Sequence, residues 1–292
     1  MILTHKSVPA VKEEKMKKKL FGMIISTVLV AAMMFVLAAC GGNKGGDEPA
    51  PAGSGANEPA SEIAQVQANG KIVIGITDFE PMDFQENGKW VGFDAELSEL
   101  FAAELGVEAE FVEIDWDNKI LELNSGAVDC IWNGMTLTPE VAEAMSCTDT
   151  YALNAQVVVM PADIMAEFKD ADSMKDLTFA VEAGSAGESV GQEAGFTVNS
   201  VQNQAAALME VAAGTSDACI IDKTMADAMT GEGTSYADLG YAVSLSSEEY
   251  VVGFRKGSDL TAKLNEMFTK WKQDGTMAQL SEKYGNAVSI AE

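Results

Sequence analysis

Residues 63–292 predict two similar open α/β lobes, joined by a hinge of two chain crossings, and three observations predict that class. From Lys71 onward, short apolar runs alternate with stretches of helical period, as strands interleaved with helices do. The step Gly126-Ala127-Val128-Asp129 before Cys130-Ile131 returns as Gly214-Thr215-Ser216-Asp217 before Ala218-Cys219-Ile220, each time after a helix and ahead of a strand. An apolar run at 250–254 then brings the chain back to the lobe it left. A chain of 292 residues is longer than one minimal core requires, which suits two. The boundaries expected are 63–160 plus 250–292 for lobe 1 and 161–249 for lobe 2.

The run KIVIGI at 71–76 is the first strand. Asp94 is expected to cap a helix whose Leu97, Leu100, Phe101 and Leu105 share one face, with Gly106 ending it. Residues 111–114 are a second strand, 118–125 a helix stopped by Gly126, and 128–132 a third strand. Thr138 followed by Pro139 starts a helix, because proline at the first helical position loses no hydrogen bond. A strand at 157–160 leads out of the lobe. The second lobe begins with a strand at 178–181 and a Gly-rich turn at 184–187 opening a helix, then a strand at 197–200 and a helix at 204–213. After the second G-x-x-D step come a strand at 218–221, the return strand, and amphipathic helices at 260–274 and 276–284. In open sheets of this kind ligands sit beyond the carboxyl ends of the strands, so the cleft between the lobes is the expected site.

Upstream of the lobes, residues 20–39 form an unbroken apolar run that follows Lys17, Lys18 and Lys19 and closes on Leu37-Ala38-Ala39-Cys40. A basic flank, an apolar stretch and small residues before a break describe an export signal, residues 1–39. The L-A-A-C ending resembles a bacterial lipobox, which implies cleavage before Cys40 and a lipid on that cysteine. A membrane-spanning helix is the alternative, since the run is long enough. The Gly-, Pro-, Ala-, Ser- and acid-rich stretch 41–62 that follows at once reads as a disordered tether and favours the anchor, on the outer face of the cell membrane. Lys12-Glu13-Glu14 reads as a translated purine-rich ribosome-binding site, so Met16 is the expected start; a precursor peptide from residues 1–15 would refute it.

The chain has 19 basic and 45 acidic residues, and without the six lysines and two glutamates upstream of Cys40 its net charge is about −30. Such a charge excludes nucleic acid as a natural partner and keeps an exported protein soluble. Besides Cys40 there are Cys130, Cys147 and Cys219; Cys130 and Cys219 lie in apolar runs and read as small buried hydrophobes. No spacing resembles a zinc or iron–sulfur site, and the single histidine, His5, lies upstream of the cleavage point. No metal, cofactor or catalytic histidine is expected.

Five pieces in order, GKWVGFDAELSELFAAELGV (88–107), WNGMTLTPE (132–140), VEAGSAGES (181–189), SDACIID (216–222) and WKQDGTMAQLSEKYG (271–285), resemble the polar amino acid-binding proteins of ABC importers. The resemblance covers roughly residues 70–286 and implies the two-lobed type 2 periplasmic-binding fold, closing on its ligand for a permease to read. It implies aromatic walls at Phe79 and Trp116, against the plainer reading of core packing. It implies that the Gly134 carbonyl takes the ligand ammonium and Thr136 its carboxylate, with amides at Ser185 and Ala186 helping. Asp222, at a strand end, matches the acid that pairs with the α-ammonium, although a helix cap is the plainer role there, as it is for Ser185.

The departure is at Val141. The family reads T-P-E-R, its arginine forking onto the carboxylate, where this chain reads Thr138-Pro139-Glu140-Val141. Arg255, the single arginine, falls in the return strand. Losing the fork costs on the order of 2 to 5 kcal/mol for an α-carboxylate ligand. Either the amides and hydroxyls suffice, or a lysine substitutes, or the ligand has no α-carboxylate. Asp78, Asp83, Glu182 and Asp222 around the cleft point to a cationic amine or polyamine in the third case, unless they are solvated rim. Capture of an amino acid or related amine for an ABC permease is thus the expected function, with the carboxylate-free amine as alternative. An enzyme such as a dehydratase or lyase on the same fold ranks lower because no acid or base is singled out for catalysis, and a sensor feeding a receptor ranks lower as well.

Overall fold

The structure, a computed structural model, describes residues 61–292. The expected signal segment, Cys40 and nearly all of the expected tether lie outside the described residues. The tether ends sooner than expected, because Ser61 caps a helix with its hydroxyl on the Ala64 N–H. In chain order lobe 1 begins with α1 (Glu62–Asn69), β1 (Lys71–Ile76), β2 (Phe84–Glu86), β3 (Lys89–Val91), α2 (Phe93–Leu105) and β4 (Glu108–Glu113). It continues with α3 (Lys119–Ser125), β5 (Cys130–Thr136), α4 (Pro139–Ala144), β6 (Ser146–Cys147) and β7 (Ala152–Asn154). Then follow β8 (Gln156–Pro161), β9 (Thr178–Glu182), α5 (Ala186–Glu193), β10 (Thr197–Val201), α6 (Gln204–Ala213), β11 (Ala218–Asp222), α7 (Lys223–Met229) and β12 (Leu239–Ser244). The return comprises β13 (Glu248–Phe254), α8 (Asp259–Asp274), α9 (Thr276–Lys283) and β14 (Ser289–Ile290).

Two main sheets form, one with the order β14-β7-β13-β5-β1-β4 plus β6 on β13, the other β10-β9-β11-β8-β12. Their centres are built alike. In the first, β1 runs parallel between β4 and β5, and β13 is antiparallel to β5. In the second, β9 runs parallel between β10 and β11, and β8 is antiparallel to β11. Each antiparallel strand is supplied by the segment that has just crossed from the other lobe. The expected end of lobe 1 at residue 160 therefore needs correction: β8 is hydrogen-bonded into the second sheet, and the first crossing lies between Asn154 and Gln156.

The repeated G-x-x-D step has one physical job in both copies. Asp129 accepts the Val73 N–H at 2.9 Å while its own N–H goes to the Val73 carbonyl at 2.7 Å. Asp217 does the same with Thr178, at 2.8 and 3.0 Å. The helix before each step closes alike, with Ala127 N–H on Glu122 O and Thr215 N–H on Glu210 O. Each aspartate thus pins the start of a new strand to the central strand, and Cys130 and Ala218 follow at matching register against Ile74 and Phe179, with Cys219 one residue further on. Both thiols are buried, and burial pushes their pKa up.

Two helix expectations are corrected. Asp94 is no cap: Gly92 holds that position, and Asp94 is buried in the first turn, where it accepts the Gly134 N–H and the Tyr151 hydroxyl, both at 2.7 Å. Leu100 is 41% exposed, so the buried stripe is Leu97, Phe101 and Leu105 without it. Arg255 is a structural clamp, bonding Glu62 at 2.5 Å, Asp129 at 3.0 Å and the Val128 carbonyl at 2.7 Å. It ties α1 and the first G-x-x-D step to the return strand.

Candidate binding cleft between the lobes

The carboxyl ends of β5 and β11, the turn into α5 and both crossings surround a cavity of about 400 Å³, near the lower end of the range for small-molecule sites. Phe79, Trp116, Gly134, Thr136, Ser185, Ala186 and Asp222 all line it, as do Val141 and Glu182. Asp78 is not among the lining residues, nor is Asp83, which is wholly buried inside lobe 1 and accepts the Asn133 amide at 2.8 Å.

Gly134 turns β5 into the site. Its φ of +52° disfavours any side chain, and a Cβ there would sit 2.7 Å from the Phe79 ring. The Asp94 carboxylate holds the Gly134 N–H from beneath, which fixes the strand end that carries the expected carbonyl. Val141, 2% exposed, packs with Trp116, Met135 and Met145 in an apolar cluster where the family motif has its arginine. Thr136 gives its hydroxyl proton to Glu248 at 2.9 Å, so that hydroxyl is committed to a carboxylate of the protein itself.

Asp222 gathers donors from both lobes and the first crossing. Tyr250 donates at 2.9 Å and Gln156 at 3.0 Å, with Asn154 and Gln204 as further donors. It stands at the N-cap position of α7, yet its side chain caps nothing. Burial, and next the Glu248 charge, push its pKa up to about 7 against these hydrogen bonds. Ser185 does cap α5, its hydroxyl accepting the Glu188 N–H at 3.0 Å, and the first-turn N–H groups of that helix have no carbonyl of their own helix to take.

Several lining residues were missed from sequence: Lys119, Gln156, Gln204 and Glu248. Lys119 is 7% exposed, donates to the Trp116 carbonyl at 3.2 Å and to the Gly184 carbonyl at 2.8 Å, and lies 5.1 Å from the Trp116 ring centre. Burial lowers its pKa. Because α3 belongs to lobe 1 and Gly184 to lobe 2, this ammonium bridges the lobes. A signal for two of them existed: Lys119 shares a buried stripe with Leu123, and Gln204 one with Ala207, Leu208 and Val211. A polar side chain on a buried helical stripe needs a partner, and here the partner is the site.

Residues 72–287 match the bacterial extracellular solute-binding proteins, family 3. The chain belongs to that family. It is the extracytoplasmic solute-binding component of an ABC importer. It is 29% identical over 269 residues to the arginine-binding extracellular protein ArtP of Bacillus subtilis (strain 168), covering 88% of this chain and 95% of that protein. A Streptococcus pneumoniae ABC transporter substrate-binding protein with bound histidine is 29% identical, with a TM-score of 0.72, covering 80% of this chain and 99% of that one. The ancestral amino acid-binding protein AncCDT-1, a precursor of cyclohexadienyl dehydratase, superposes with a TM-score of 0.71 at 29% identity, covering 77% and 99% of the two chains. These are type 2 periplasmic-binding folds, and the two sheets with exchanged strands are the same architecture.

Proposed function

We propose that this family member captures a polar α-amino acid in the cleft, its ammonium on Asp222 and its carboxylate on Lys119 and the first-turn amides of α5. The observation that carries the reading is the placing of opposite charges on opposite lobes of one cavity: Asp222 from lobe 2 and Lys119 from lobe 1. A lysine has three N–H donors, and two of those on Lys119 go to carbonyls, which leaves one for a carboxylate. Of the three ways to manage without arginine at 141, substitution by a lysine has this support. The carboxylate-free amine is not favoured, since relatives are named for arginine, cystine, histidine and glutamine.

The reading is tested by thermal shift of residues 61–292 against the common amino acids and a panel of amines and polyamines. At a hundred times its dissociation constant a ligand stabilises by about 2.7 kcal/mol. A shift with amines alone would sink the α-amino acid reading. The same bound ligand, recovered and found unchanged by NMR after prolonged incubation, separates binding from catalysis; a dehydrated or cleaved product would overturn the non-enzymatic reading. Lipid anchoring through Cys40 belongs to the proposal as well. Cys40→Ala should move the protein from the membrane fraction to the medium, and retention at the membrane would count against it.

A further inference from the structure

We propose that the ligand bears a second positive charge, on its side chain, and that Glu182 selects it. The inference rests on the α-amino acid reading above. Glu182 is the last residue of β9, beside Asp222 at the end of the neighbouring strand, and lines the cavity while only 2% exposed. Its Oε1 has no hydrogen-bond partner. Asp222, by contrast, accepts from four side chains. A buried acceptor left without a donor is costly, and a buried carboxylate more so.

Among the described residues no ion pair includes Glu182; the Lys119 charge acts on it without contact, because Lys119 spends two donors on carbonyls. Five carboxylates, Glu140, Glu182, Glu193, Asp222 and Glu248, line the cavity against the one ammonium of Lys119. A zwitterion with a neutral side chain leaves that excess standing. A side-chain ammonium or guanidinium reduces it and gives Oε1 a charge-assisted partner, while Trp116 and Phe79 offer apolar surface to the aliphatic stem. Burial and the Asp222 charge push Glu182 up to about 8, opposed by Thr77, Lys119 and Gln204. A cation must then displace a proton from Glu182, so its binding strengthens as pH rises from 6 to 8. A side chain that accepts a hydrogen bond from the protonated acid behaves in the opposite way.

The test is isothermal titration of the purified protein with arginine, lysine, citrulline and glutamine between pH 6 and 8, for the wild type and Glu182→Gln. Asp222 titrates near 7 and affects every α-amino acid alike, so the quantity to follow is the preference for arginine over citrulline. The expected result is a preference of about tenfold or more that grows with pH, and falls to within about threefold in Glu182→Gln. Equal binding of arginine and citrulline, or a preference that the substitution leaves intact, overturns Glu182 as selector while the α-amino acid reading stands. No binding of any α-amino acid overturns both.

Discussion

In the proposed site Asp222 takes the ligand ammonium, and Lys119 makes the carboxylate contact that an arginine at 141 would have made. Asp222 is held by four donors and caps no helix, so Asp222→Asn should keep the fold while weakening amino acid binding by about 2 to 5 kcal/mol, measured by calorimetry. A binding constant unchanged by that substitution would remove Asp222 from the site. Lys119→Met should weaken binding by roughly tenfold or more, and Val141→Arg in that background should recover much of it, because residue 141 also lines the cavity. Failure of the rescue would mean that the two positions serve different parts of the ligand. Val141 as a departure was legible in the sequence. Lys119 as its proposed replacement was not, since α3 carries it on an otherwise apolar stripe and its partner carbonyl on Gly184 lies 65 residues away.

At the level of elements, the two G-x-x-D steps differ in what rests on them. Asp217 is exposed and serves the Thr178 N–H, whereas half-buried Asp129 serves Val73 and also the Arg255 guanidinium. Asp217→Ala should therefore cost about 1 kcal/mol and Asp129→Ala roughly 2 to 3 kcal/mol in urea unfolding. Equal costs would show that Arg255 adds nothing at the first step. Helices α3 and α6 ended where Gly126 and Gly214 stand, and α4 began at Thr138-Pro139, because caps act on neighbours in sequence. The Asp94 cap failed for a tertiary reason: a carboxylate that can reach Gly134 and Tyr151 in the core is worth more there than on its own helix.

For the whole molecule, Gly184 marks where the lobes meet. With φ at +69°, a Cβ there would stand 2.6 Å from the Asp117 Cα of lobe 1. Gly184→Ala should leave both lobes folded but hold them apart, raising the radius of gyration in solution scattering with ligand present and weakening binding by about tenfold or more. A normal compaction on adding ligand would rule this contact out as part of closure. The ligand-free protein should also lose stability as pH rises. Asp94 and Asp222, at about 7, and Glu182, at about 8, bind protons in the fold that they release near 4 when unfolded. The native state thus holds more protons between those values, and the melting temperature should fall from pH 5 to pH 8. A melting temperature that rises over that interval would contradict the burial of these acids.

The order of strands and helices, the doubled G-x-x-D step, the return of the chain and the absence of the expected arginine were determined by the sequence itself. Periodicity, caps and turn residues act over a few positions, and so they can be read in line. Only the tertiary structure decided that each lobe borrows its antiparallel strand from the other crossing, that Lys119 bridges the cleft, and that Glu248 faces Asp222. It likewise decided that Glu182 keeps an oxygen unpartnered. Those facts depend on groups tens of residues apart brought out of water together, where burial and neighbouring charge, rather than local pattern, set what each side chain can hold.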